Sequence, residues 1–229
     1  MRDVMRSLSL LHDFLKYIGI SHVGELYIKP WKVRLPFKIT DIFTRREALN
    51  LVKVVSELIE AGAVYDKDND LLHLPFFQGT PRFKLSSRTY IFPPIIFAIH
   101  EQFIREVYGQ LIGNEILRHS DILIDIGAFI GDTPIYFALK GVKHIIAIEP
   151  IPFYYSILVE NIKLNKLEHM VKTRCVAIGD SYSILELKLP SFKYIGTNAI
   201  KVHTIPFNEL LDQYDEIDVV KMDCEGCEF

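Results

Sequence analysis

Residues 121–150, DILIDIGAFIGDTPIYFALKGVKHIIAIEP, carry the pattern strand, glycine turn, helix, strand, acidic residue. Ile122 to Ile126 is an apolar run broken only by Asp125, which suits a strand buried on both faces of a parallel sheet. Gly127 and Gly131 bracket a turn. Asp132 or Thr133 is expected to cap the helix that follows, with Pro134 at an early helical position and Gly141 as its stop. A second strand over His144 to Ile148 then delivers Glu149 and Pro150. The chemistry this unit suits is nucleoside binding. Glycines let a ligand approach the backbone, and a carboxylate ending the second strand can accept hydrogen bonds from both ribose hydroxyls. A glycine turn alone is common in α/β chains. The conjunction of Asp125, Gly127, Gly131 and Glu149 at these spacings narrows the reading.

The same alternation continues downstream. Phe153 to Leu164 reads as a helix, and Val171 to Ile178 as a third strand closed by Gly179 and Asp180. Ile184 to Leu189 alternates like a strand, Ser191 to Lys201 is a polar loop, and Val202 to Ile205 leads through Pro206 into a short helix over Phe207 to Leu211. Asp218 to Met222 is the fourth core strand and reaches Asp223. Strands alternating with helices imply a parallel sheet with right-handed crossovers.

Upstream the pattern is more mixed. Met5, Leu8, Leu11, Phe14, Leu15 and Ile18 fall at helical spacing over Met1 to Gly19. Glu25 to Lys38 suggests short extended segments punctuated by Pro30 and Pro36. A helix over Arg45 to Ala61, started from Thr40 or Asp41, ends at Gly62. Tyr65 to Phe77 reads as a hairpin around a polar turn at Asp66 to Asp70, and Pro81 to Phe92 as a further strand region ended by Pro93 and Pro94. Ile95 to Leu117 returns to helical spacing with a soft spot at Gly109 to Gly113. The fold class expected is α/β, with an N-terminal α+β extension over residues 1–110 and a Rossmann-like parallel-sheet domain over 111–229.

Composition removes several function classes. At 229 residues, 49% apolar and 24% charged, the chain has globular composition. A net charge of −3 gives no electrostatic case for nucleic acid as a partner. Arg82, Lys84 and Arg88 beside Phe83 and Tyr90 form one short basic-aromatic stretch, read as a solvated strand face or part of an acceptor pocket. No apolar run is long enough to span a membrane, and residues 1–20 lack the cleavage-site pattern of a signal peptide. Three cysteines do not make a secreted disulfide framework. The expectation is a cytoplasmic protein with no stable membrane insertion.

Four segments, DIGAFIGDTP (125–134), IAIEPIPFYYSILVENIKLN (146–165), VAIGD (176–180) and KMDCEGCEF (221–229), resemble in order the successive motifs of the FkbM-type methyltransferases. The resemblance covers about the last 110 to 120 residues. It implies a class I methyltransferase fold that uses S-adenosylmethionine, with O-methylation of a sugar or a small polyketide-like acceptor as the reaction. It also implies a donor site. Asp125, Gly127, Ala128 and Gly131 would surround the methionine portion, Glu149 would bind the ribose hydroxyls, Pro150 and Ile151 would pack on the adenine, and Asp180 would accept from the adenine amino group. Bland alternatives stand beside these: a turn-capping carboxylate for Asp125 and a Gly-Asp turn residue for Asp180. Tyr108 fits a tyrosine-bearing helix that precedes the glycine motif in the family.

Asp223 and then Glu225 are the candidate catalytic carboxylates, because a hydroxyl acceptor must lose its proton near the methyl group. Glu228 is read as structural and His203 as a remote candidate base. Cys224 and Cys227 form a C-x-x-C pair, but with Cys175 as the one other cysteine a four-ligand structural zinc site is short of ligands, and no metal is expected. Family members continue beyond the Asp223 motif, so the parallel-sheet domain is expected to be cut short after its fourth strand, leaving an apolar edge. Three readings are open: a fragment, a truncated gene product, or a chain whose missing half comes from a homodimer mate or another partner. Two other functions compete. One is a catalytically inactive or partner-dependent donor-binding remnant. The other is an NAD-dependent oxidoreductase, against which stand the Gly-Ala-x-x-Gly turn and the carboxylate of Asp125 just before it.

Overall fold

The computed structural model describes residues 24–28, 31–35, 45–66, 68–85, 92–188 and 199–224. The helix expected over Met1 to Gly19, the helix start at Thr40 or Asp41, most of the polar loop after Pro190, and the residues from Glu225 onward lie outside them. The chain divides into two compact units, one of residues 1–76 and 85–104, the other of residues 77–84 and 105–229.

In the first unit, β1 (Gly24–Ile28) and β2 (Trp31–Leu35) pair antiparallel. Helix α1 (Arg45–Glu60) buries Leu51, Val54, Val55 and Leu58, and Gly62 closes it with its N–H donated to the Ile59 carbonyl. The hairpin expected around the polar turn forms from β3 (Val64–Asp66) and β4 (Leu71–His73), and Asp66 caps the turn by accepting from the N–H groups of Asp68 and Asn69. Helix α2 (Phe92–Phe103) departs from expectation at its start. Pro93 and Pro94 stand in its first turn, where a missing N–H costs nothing, rather than merely ending a strand. His100 is buried, with Nε2 2.5 Å from the Glu57 carboxylate.

The second unit begins with β5 (Arg82–Lys84), three residues long rather than the longer strand region expected. The single helical stretch expected up to Leu117 is instead broken twice. Helix α3 (Val107–Ile112) starts after Glu106, which is left-handed at φ 48°, and helix α4 (Asn114–His119) starts after Gly113 at φ 98°. Leu111, within the stretch of helical spacing, is 73% exposed. Glu106 is held by partners on the later helix Asp132–Lys140: its carboxylate accepts from Tyr136 and pairs with Lys140.

The central sheet is the parallel one that the alternation predicts. Its strands β6 (Ile122–Ile126), β7 (His144–Ile148), β8 (Val171–Arg174) and β12 (Val219–Met222) lie in the order β12-β6-β7-β8, every pair parallel. Period-two alternation sorts their side chains. Ile124, Ile126, Ile146 and Ile148 share one buried cluster with Leu210, so Leu123 and Asp125 point to the other face. Helix α5 (Asp132–Lys140) supplies buried Ile135, Tyr136 and Phe137, and helix α6 (Pro152–Leu164) supplies Ile157, Leu158 and Ile162.

The third strand was expected to run unbroken from Val171 to Ile178. It divides after Arg174: β9 (Ala177–Gly179) leaves the parallel sheet and joins β11 (Ile200–Pro206) and β10 (Ser183–Leu187) in a separate sheet, in the order β10-β11-β9. A short helix, α7 (Phe207–Leu211), follows β11. Thr204 fixes this corner, its hydroxyl donating to the Ser181 carbonyl and accepting from the Ser183 N–H.

Asn161 of α6 and Asn165 at its C-cap act as amide clamps. Asn161, fully buried, donates to the Ile130 carbonyl at 2.8 Å and accepts from the Lys84 N–H at 2.7 Å. Asn165 accepts from the Arg82 N–H and donates to the Arg82 carbonyl. Two side chains thereby satisfy the backbone of β5 as a neighbouring strand would, and one of them also anchors the glycine turn. Asn161→Ala leaves a buried carbonyl and a half-buried N–H unpaired, at about 1–3 kcal/mol each. The expected result is a melting temperature lower by about 4 to 24 °C at roughly 2–4 °C per kcal/mol. A thermal melt unchanged by the substitution would remove the clamp from this account.

Candidate functional site

Three strands end together. The carboxyl ends of β12, β6 and β7 deliver Asp223, Gly127 and Glu149, and the turn from Gly127 to Gly131 lies among them. The N–H groups of Gly127 and Ala128 both donate to the Ile148 carbonyl at 2.9 Å, and the Asp223 N–H donates to the Ile126 carbonyl at 3.0 Å. Gly127 has φ 80°, and a Cβ built on it would lie 1.9 Å from the Asp223 carbonyl oxygen. Main chain therefore fills the space that any larger residue would need. Gly131 also has positive φ, at 90°, and is the N-cap of α5. This corrects the expected capping: Asp132 and Thr133 are the first helical residues, and no side chain caps the end. The Thr133 hydroxyl is turned instead to Asp125 Oδ2, at 2.5 Å.

Asp125 is completely buried, with Oδ2 taken by Thr133 and Oδ1 2.9 Å from Lys221 Nζ. The two residues face each other in the β6–β12 register. The directed bond of the ammonium goes to the Gly127 carbonyl at 2.8 Å, with the Ile126 carbonyl at 3.5 Å. Burial works against the charge on Lys221. Asp125 beside it, with Asp132 and Asp223 further out, outweighs that and holds its pKa above the ordinary lysine value.

Glu149 is 4% exposed and accepts from two backbone donors, the Phe129 N–H at 3.0 Å and the Ile151 N–H at 2.8 Å. It is the carboxylate that holds both the glycine turn and the segment entering α6. Burial dominates its titration and pushes its pKa up to about 7, against the pull of those two donors and of Lys221. Asp132 is pushed to about 7 by burial too, with Lys221 opposing and Asp125 adding to the rise. Both groups therefore carry a partial charge near neutral pH.

Asp223 accepts from the Tyr108 hydroxyl at 2.5 Å through Oδ2. Tyr108 stands on α3, its ring 5.3 Å from Lys221 Nζ and edge-on to Phe137. Burial first, then Asp223, raises the phenol far above its ordinary pKa, so it is a fixed donor. Gly109 makes this placement of α3 possible, since a Cβ there would lie 2.0 Å from the Tyr136 hydroxyl.

Of the residues singled out in the sequence, Asp125, Gly127, Ala128, Gly131, Glu149 and Asp223 converge on this end of the sheet. Ile151 is buried beside Glu149, and the carbonyl of half-buried Pro150 faces the Cys175 thiol at 3.8 Å. Asp180 is exposed and follows β9, in the second sheet rather than at an end of the first. Glu225, Cys227 and Glu228 lie outside the described residues. Cys175 is a free thiol, and among the described residues no cluster of His, Cys, Asp or Glu could hold a metal ion.

Lys221 is the residue that sequence reasoning passed over. Its signal was present: a lysine within the apolar run VVKM pairs by charge with the one aspartate in ILIDI. No helix among the described residues is long and apolar enough to cross a membrane.

The Methyltransferase FkbM domain matches residues 125–229. No curated protein matches the chain. Among solved structures, a methyltransferase FkbM from Methylobacillus flagellatus KT is 14% identical with a TM-score of 0.37, the match covering 79% of this chain and 44% of that one. TYW2 of Pyrococcus horikoshii in complex with MeSAdo is 19% identical with a TM-score of 0.35, over 75% of this chain and 63% of that one. A tRNA m1G37 methyltransferase of M. jannaschii is 18% identical with a TM-score of 0.33, over 83% of this chain and 60% of that one. This chain thus spans less than half the length of the first of them. Over residues 125–229, the chain is similar to the Methyltransferase FkbM domain.

Proposed function

We propose that this protein binds S-adenosylmethionine at the carboxyl ends of β12, β6 and β7 and methylates a hydroxyl of a sugar or a small polyketide-like acceptor. The observation that carries the reading is the meeting of Glu149, the glycine turn and Asp223 at one end of a parallel sheet. Ligands of open α/β sheets lie outside the carboxyl ends of the strands. The donor fits what is there. It has a ribose diol for Glu149, and as a cation it is drawn by the net acidic field of Asp125, Asp132 and Glu149, with Lys221 as the counter-charge. When bound, S-adenosylmethionine supplies an electrophilic methyl group.

The work of the chain is to hold and align. Glu149 offers the ribose its carboxylate while fixing the turn through Phe129 and Ile151. Asp125 is buried and engaged, so it acts by fixing Lys221 and Thr133 behind the turn. Pro150 and Ile151 offer an apolar face to adenine, and Asp180 is a further candidate for its amino group. Asp223 takes the proton of the acceptor hydroxyl, and Tyr108 orients it by holding Oδ2. Glu225 is the alternative carboxylate for that proton.

Transfer is tested with methyl-labelled S-adenosylmethionine and a panel of glycans and hydroxylated small molecules. For any accepted substrate, Asp223→Asn is expected to keep donor affinity and to slow transfer by about 100-fold or more. Transfer at the unmodified rate in Asp223→Asn would remove this carboxylate from catalysis.

A further inference from the structure

We infer that Lys221 is the positioning residue of the donor site, a buried cation that holds the carbonyls of the glycine turn and balances the carboxylates among which a cationic donor would sit. The inference rests on the donor reading above. Lys221 is 6% exposed and lies on a core strand, a position that otherwise suits an aliphatic residue. Every partner it has among the described residues belongs to the site. Asp125 faces it from β6, Asp132 from α5, Asp223 from its own strand and the Tyr108 ring from α3, while Glu149 at the end of β7 feels its field. Its ammonium is 2.8 Å from the Gly127 carbonyl and 3.5 Å from that of Ile126. It therefore draws two main-chain oxygens to one side of the turn, while the turn's N–H groups at Gly127 and Ala128 are drawn to the Ile148 carbonyl.

The consequence is electrical as well as steric. Lys221 opposes the rise in pKa at both Asp132 and Glu149, which stand at about 7 with it in place. A raised carboxyl is protonated below that pH and charged above it. A cationic donor favours the charged form, so its affinity should rise with pH through about 7 in the unmodified protein. Without Lys221 both groups stay protonated to higher pH, and the rise moves upward.

The test uses the full chain, unmodified and as Lys221→Met and Lys221→Arg. S-adenosylmethionine affinity is measured from pH 5.5 to 9, and the carboxyl 13C resonances of Asp132 and Glu149 are titrated without ligand. Lys221→Met is expected to move both carboxyl midpoints, and with them the affinity midpoint, up by about one pH unit. Lys221→Arg should restore both midpoints. Loss of packing alone would lower affinity equally at every pH. That outcome, or carboxyl midpoints unmoved in Lys221→Met, overturns the inference while leaving the donor reading intact. If Lys221→Met does not fold, the arginine variant decides: affinity and midpoints near those of the unmodified chain support the role, and folded protein with binding abolished overturns it. Failure of the unmodified chain to bind the donor, with its carboxyl midpoints as expected, would overturn the donor reading and this inference with it.

Discussion

Gly127→Ala is expected to dismantle the site and to lower the melting temperature by about 10 °C. Two costs add. A non-glycine residue at φ 80° costs roughly 1–2 kcal/mol from backbone crowding alone. The new methyl would also lie 1.9 Å from the Asp223 carbonyl oxygen and 3.2 Å from the Cys224 Cα. These are main-chain atoms, so the end of β12 must move, and with it the Asp223 side chain and its bond to Tyr108. The other glycines give a graded control. Gly131→Ala meets a side-chain atom, Leu158 Cδ1, at 3.0 Å, and Gly62→Ala meets nothing within 4 Å. The predicted order of destabilisation is Gly127 > Gly131 > Gly62, read from thermal melts. Equal losses at Gly127 and Gly62 would show that φ alone sets the cost and that the turn does not press against β12.

Glu149→Ala should remove S-adenosylmethionine binding, with affinity lower by 100-fold or more. Hydrogen bonds to a charged group are worth about 1.5–3 kcal/mol each, and the ribose would lose two. The substitution also frees the N–H groups of Phe129 and Ile151, which now meet on this carboxylate, so the turn loosens as the ligand contact goes. Isothermal titration measures the effect, with circular dichroism of the variant as the check that it is folded. Folded Glu149→Ala that binds the donor at full strength would place the ribose elsewhere.

How much of this was legible depended on range. The sheet strands Ile122–Ile126, His144–Ile148 and Val219–Met222 were readable because each is a mainly apolar run ended by glycine or acid, a signal local to the run. The cap on α5 was misread for a reason that is not local. Thr133 looks like a cap in sequence, but its hydroxyl has a stronger acceptor in Asp125, eight residues back and buried on the adjoining strand. The break of the third strand at Arg174 was hidden because Val176 and Ile178 continue the apolar pattern while changing sheets; the partner of β9, Thr204 to Pro206, lies far along the chain. The hinge at Glu106 depends on Tyr136 and Lys140, whose approach no spacing announces. In the site, Asp125 and Glu149 stood out as charges at strand ends. Lys221 did not, because a lysine in a strand is ordinarily solvated, and its meaning lies in the register that sets it opposite Asp125.

The measurement that tests the central claim most directly is a calorimetric titration of the purified chain with S-adenosylmethionine, with NAD in parallel. The account predicts saturable binding of S-adenosylmethionine at one site and no heat with NAD, because a buried carboxylate at Asp125 beside the turn disfavours a pyrophosphate. A folded chain that binds NAD and not S-adenosylmethionine, or that binds neither, would contradict it.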